Sequence, residues 1–299
     1  MNLSKTKQGD FLILIQAFLS SFFPIVAVLS YKTLTPMVSL FYSSVFTAGV
    51  FLILFCFRPK WRELIIPGVL KELLFVALII GVGYYGLFFL ALKYTTAGNA
   101  SLIALMEIFF SYLFFHVIRK EDMGASHIIG GIFMVLGAVM ILFNKTSSFR
   151  AGDFIILFAT TFPAVGNYFQ QKLRKKISSE TVLFGRSMLT LPFLAILAFV
   201  FKENLSPAVI RGSFWFLLLN GTIFLGISKI FWLEGIHRIS VTKASIISSV
   251  SPAFTLLLAT IFLKQYPNLW QLLAFIPLGL GLWLLTKTKP VQEAEMGSV

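Results

Sequence analysis

The chain reads as an all-α integral membrane protein of ten transmembrane helices, arranged as two inverted five-helix repeats. Three observations lead there. Of the 299 residues 58% are apolar and only 12% charged, about half the charge of an ordinary soluble domain. Ten apolar runs are long enough to cross the hydrocarbon of a bilayer. Related stretches also recur 143 or 144 residues apart.

The runs lie at 11–31, 36–57, 72–92, 95–118, 126–143, 153–171, 181–201, 213–236, 241–263 and 270–286. Lipid offers backbone polar groups no partner, so each run is expected to be helical. The breaks are short (LSYKTLTP, FRPKWRELIIPG, RKEDMGAS, NKTSSFRAG, LKQYPN) and leave no room for a soluble domain. The first run follows Lys5 and Lys7 but has the length of a retained span, without a convincing cleavage site. Of the 25 basic residues, sixteen fall on the N-terminal side and seven on the other, with Arg186 and Lys229 inside runs. The positive-inside rule then places both termini in the cytoplasm, and a multi-pass protein of the inner membrane is expected.

A net charge of +13 raises nucleic acid as a partner, but the basic residues sit in short gaps between spans and form no binding face. Cys56 is the single cysteine, so there is neither an intrachain disulfide nor a thiolate metal site. His116, His127 and His237 lack metal-ligand spacing, and no GxxxxGK[ST] loop is present. No metal, cofactor or obligatory protein partner is expected.

GDFLIL at 9–14 recurs as GDFIIL at 152–157, with Asp10 and Asp153 where helix N-caps would fall. Residues 92–121 also align without gaps on 236–265, pairing Ala100 with Ala244, Ser101 with Ser245 and Phe110 with Phe254. The chain therefore divides into a first repeat at 1–146, a second at 147–287 and a cytoplasmic tail at 288–299. Five helices is an odd number, so the copies insert in opposite senses. The loops agree: the gap after the first run has one basic residue and its counterpart after the sixth has four. Inverted repeats are typical of secondary transporters, which bind solute near the midplane between the halves.

ALKYTTAGNASLIALMEIFFSYLFFHVIRKE, followed by GGIFMVLGAVMI, and its partner GIHRISVTKASIISSVSPAFTLLLATIFLKQ resemble the drug/metabolite transporter superfamily, in particular its EamA-type ten-helix members. The resemblance covers residues 8–287. Two departures stand out: Gln265 replaces the usual closing Glu, and Ile108 occupies the position held by Pro252 in the second copy. The resemblance implies a transporter of small organic solutes, and it places the fourth and eighth helices in the cavity-forming set.

Glu107 lies 11–12 residues from either end of its run, roughly 17 Å from each interface. Intramembrane ionisable residues are functional candidates by default. A solute-ammonium or proton site is one reading of Glu107, and a carboxyl bonded between helices as packing glue is the other. Lys229 is its candidate counter-charge, with snorkelling to the interface as the alternative. Arg186, about six residues into its run, is expected to snorkel. Tyr84, Tyr85 and Trp232 are candidates for holding a cation or ring by their π-faces. Asn99, Asn167, Ser248 and Ser251 are candidates for solute hydrogen bonds, against interhelical bonding. Pro24, Pro163 and Pro252 are candidate hinges, because proline breaks the helical ladder. Glycines in GVGYYG, GGIFMVLG and LGLGL fit close helix packing.

The expected function is secondary transport of a small amino-acid-like or cationic metabolite by alternating access, with export implied by the resemblance and proton coupling through Glu107. An importer or exchanger on the same fold is the nearer alternative. A membrane-embedded lipid-modifying enzyme is the more distant one; it needs clustered Asp, His or Arg at an interface, and RKEDMGASH at 119–127 is the nearest approach. No catalytic residue is assigned.

Overall fold

The computed structural model describes residues 5–57, 59–119, 124–143, 150–201, 207–239 and 241–287. The tail at 288–299 and the turn residues Lys120, Glu121 and Asp122 lie outside the described residues. Among the described residues all regular structure is helical, as lipid burial of the backbone requires.

Nine helical stretches among the described residues are long and apolar enough to cross a membrane. They run from Thr6–Ser30, through Pro36–Phe57, Val69–Leu92, Ala97–Phe114, Ala125–Leu142, Ser179–Val200, Ile210–Ile236 and Lys243–Leu263, to Leu269–Thr286. The run at 153–171 is present as two shorter helices, Ala151–Ala159 and Phe162–Arg174. The break has a local cause. Thr160 and Thr161 turn their hydroxyls onto the carbonyls of Leu157 and Phe158, and Pro163 then opens the second half. Counting this broken helix as the sixth, the ten are called spans one to ten.

Departures from regular α-helix follow the repeat. The third span contains a π-helical segment at Ala77–Tyr84, and the eighth contains one at Asn220–Ile227, 143 positions later. The fourth span breaks at Leu105, between Ala97–Ala104 and Met106–Arg119. The ninth breaks at the matching place, between Val241–Ser248 and Ser251–Leu258. Pro252 starts the second half of the ninth span, and Pro163 that of the sixth. Pro24 differs: it sits inside the Lys5–Ser30 helix, which continues on both sides of it. Side chains project differently at a π-turn or a break, and such irregularities gather at functional sites.

The fifth and tenth spans pack along each other at the periphery. A Cβ on Gly130 would come within 2.9 Å of the Gly281 carbonyl, and one on Gly281 within 2.7 Å of the Gly130 carbonyl. These glycines let two backbones touch, the packing expected of GGIFMVLG and LGLGL.

Asp10 and Asp153 are not N-caps. Asp10 lies beyond the first turn of Lys5–Ser30, and the N-cap of Ala151–Ala159 is Arg150. Each Asp instead reaches the start of the fourth helix of the other repeat. Lys243 holds Asp10 at 2.6 and 2.7 Å. Asn99 donates to Asp153 at 2.9 Å, joined by the Thr95 hydroxyl. Asn99 and Lys243 are 144 positions apart, so these are one contact made twice, on opposite faces.

Candidate functional site

A cavity of about 240 Å³ lies between the two repeats. Among the described residues its walls come from spans one, three, four, six, seven, eight and nine, with none from the second, fifth or tenth. On the sixth, seventh, eighth and ninth spans the lining residues fall mainly in the half nearer the N-terminal face, while the first span lines the cavity from its middle, between Gln16 and Pro24. The π-segments and breaks border it directly: Ile80, Tyr84, Leu105, Phe224, Leu225 and Ser249 all line it.

Glu107 follows the break at Leu105 and faces this cavity. Its carboxylate accepts a hydrogen bond from Asn167. Asn167 in turn accepts from Gln170 at 3.1 Å, and Gln170 accepts from Arg186 at 3.2 Å. Asn167 and Gln170 are three residues apart on one helix, which aligns their amides along one face. Four polar residues on three spans thus form a chain whose donors all point toward Glu107.

Lys229 lines the same cavity and is the main cationic neighbour of Glu107. No contact ion pair joins the two. The ammonium lies 6.0 Å from the centroid of the Tyr85 ring, within cation–π range. Arg186 does not snorkel. It is 8% exposed and lines the cavity, because the Gln170 amide captures its guanidinium. Sequence reasoning undervalued this residue, although its place inside an apolar run was the available signal.

Tyr84 and Tyr85 stand edge-to-face at 5.0 Å and contact Phe88 and Phe23 respectively. Trp232 lines the cavity too, but packs with Ile13 and Ile239 and makes no ring contact with either tyrosine. Ser248 and Ser251 combine lining with stitching. Ser248 donates to Gln16 at 3.0 Å, and Ser251 lies 3.3 Å from Ser20, tying the ninth span to the first. Pro24, Pro163 and Pro252 all reach the cavity wall.

Asn99 is the exception among the candidates. It is 1% exposed, lies away from the cavity, and is consumed by packing bonds to Asp153 and, at 2.7 Å, from Gln271. A buried amide must satisfy both ends, and here both partners are side chains at the far face. Gln16 and Ser20, not singled out from the sequence, do line the cavity. Each is a polar residue inside the first apolar run.

The EamA-like transporter family model matches residues 7–143 and again residues 150–287. The chain belongs to the EamA-like transporter family. Two relatives come from Bacillus subtilis (strain 168). The uncharacterized transporter YoaV is 23% identical over 245 residues, covering 80% of this chain and 82% of the relative. The uncharacterized transporter YyaM is 24% identical over 193 residues, covering 60% and 62%. A solved crystal structure superposes with a TM-score of 0.68 at 18% identity, covering 99% of both chains, a likeness of fold alone. This EamA-like protein is thus a multi-pass membrane transporter, and the family match accounts for the repeated five-helix pattern.

Proposed function

We propose that this transporter exports a small organic solute from the cytoplasm across the inner membrane by alternating access, with Glu107 as its proton-linked group. The observation that carries the reading is the cavity between the repeats, with Glu107 at the repeat-related break of the fourth span. At about 240 Å³ it falls below the usual span of ligand pockets, which favours a compact solute.

The ties on the two faces supply a means of alternation. Asp10–Lys243 joins the repeats on the face assigned to the cytoplasm, and Asp153–Asn99 joins them on the opposite face. The first tie is half-exposed, while Asp153 is buried and braced by Thr95. Opening one while the other holds would rock one repeat against the other around a fixed midplane site. Glu107 would exchange its proton for solute within the cavity, coupling the two fluxes.

The test is counterflow and proton flux in proteoliposomes, using a panel of radiolabelled amino acids and amines. Wild type should move at least one solute with a proton signal. Glu107→Gln should abolish the proton signal. Solute movement no faster than in protein-free liposomes across the panel would defeat the reading.

A further inference from the structure

The cavity carries more positive than negative charge. Its charged lining residues are Arg186, Lys229 and Glu107. A guanidinium stays charged and presents five N–H donors, and an ammonium presents three. One Arg186 donor is spent on Gln170. Among the ion pairs of the described residues, none places a carboxylate against Arg186 or Lys229. The amide acceptors are already engaged: Gln170 receives Arg186, and Asn167 receives Gln170. The site is therefore rich in donors and poor in acceptors.

Both cations converge on Tyr85. Lys229 lies 6.0 Å from its ring, and Arg186 lines both the main cavity and a smaller annex of about 40 Å³ with it. A buried, uncompensated cation is unfavourable, so a solute that brings an anion relieves it while a cationic solute makes it worse. Planar carboxylates match the guanidinium fork in particular. Phe23, Phe88 and Phe224 supply an apolar wall for the rest of the molecule.

We propose that Arg186 and Lys229, around Tyr85, form a carboxylate-binding subsite, so the transported solute is a small carboxylic acid or zwitterion with an apolar body. The inference rests on the transporter reading above and narrows its solute class. It turns away from purely cationic metabolites. In the zwitterionic case Glu107 receives the ammonium, and in the simple acid it does not.

The test uses the full chain purified in detergent and four matched probes: 3-phenylpropionate, its amide, 3-phenylpropylamine and phenylalanine. Binding is read by calorimetry and by thermal shift. At least one of the two carboxylate-bearing probes should bind, and the amide and amine should bind at least tenfold more weakly. Arg186→Gln should weaken the carboxylate probes at least tenfold, with partial recovery in Arg186→Lys, and Lys229→Gln should weaken them less. Melting of each unliganded variant separates lost binding from lost folding. Tighter binding of the amine, an unchanged affinity in Arg186→Gln, or no binding of any probe would overturn the subsite. Movement of the amine but not the acids into proteoliposomes would sink this inference while leaving the transporter reading intact.

Discussion

Arg186 and Glu107 are the two ends of one hydrogen-bonded chain, linked through Gln170 and Asn167. The chain crosses from the seventh span to the fourth by way of the sixth. Every amide donates in the same sense, from guanidinium to carboxylate, so each bond polarises the next. Cutting the middle removes a bond to a charged group, worth about 1.5–3 kcal/mol. Asn167→Leu should accordingly slow transport about ten- to a hundredfold in proteoliposomes. An unchanged rate would mean that the chain is only packing.

The two repeat-related ties should differ in energy. Asp153 is 3% exposed, and its removal strands the Asn99 and Thr95 donors. Asp153→Ala should cost about 1–3 kcal/mol, the penalty for orphaned buried donors. Asp10 and Lys243 are partly exposed, so Asp10→Ala should cost about 1 kcal/mol or less after solvent screening. Chemical unfolding in detergent would measure both, and equal losses would contradict the ranking.

The contact between the fifth and tenth spans leaves no room for a side chain. Gly281→Val would drive its Cβ toward the Gly130 carbonyl and the Met134 backbone, which cannot swing aside. A thermal midpoint lowered by several degrees is expected. Gly279→Ala is the control, since its Cβ would meet nothing within 4 Å, and it should leave the midpoint unchanged.

Glu63, in the short helix Trp61–Leu64 between the second and third spans, should give stability a pH dependence. Burial acts to raise its pKa, but bonds from the Thr181 hydroxyl and from the Ser178 amide and hydroxyl outweigh it, with help from Lys60. The folded-state pKa is therefore lowered from the ordinary glutamate value that the unfolded chain keeps. Its stabilising contribution is complete above the unfolded pKa and fades as pH falls through the folded one. Wild type should outlast Glu63→Gln at pH 7, and their melting curves should converge on acidification below the unfolded pKa. A gap that stays constant with pH would rule out the carboxylate as its source.

Much of this protein is legible along the chain. The apolar runs foretell the spans because a buried backbone in lipid has no alternative to the helix. The 143- and 144-residue offsets foretell the repeat, since a duplicated fold must keep the same small and polar residues at its crossings. Glu107 and Lys229 stand out because a charge inside an apolar run is expensive wherever it ends up.

What the chain leaves open is which helix faces which. Asn99 and Asn167 look alike as single amides in apolar surroundings, yet one braces the far face and the other bonds Glu107 in the cavity. Arg186 has the depth of a snorkelling residue, and only the approach of Gln170 from another span turns it inward. Asp10 and Asp153 read as local caps until the opposite repeat delivers Lys243 and Asn99 to them. Sequence determines the spans, their number of crossings and the repeat, because burial in lipid is decided within each segment. Tertiary packing alone decides the partners, because a side chain's hydrogen bonds depend on helices far away in the chain.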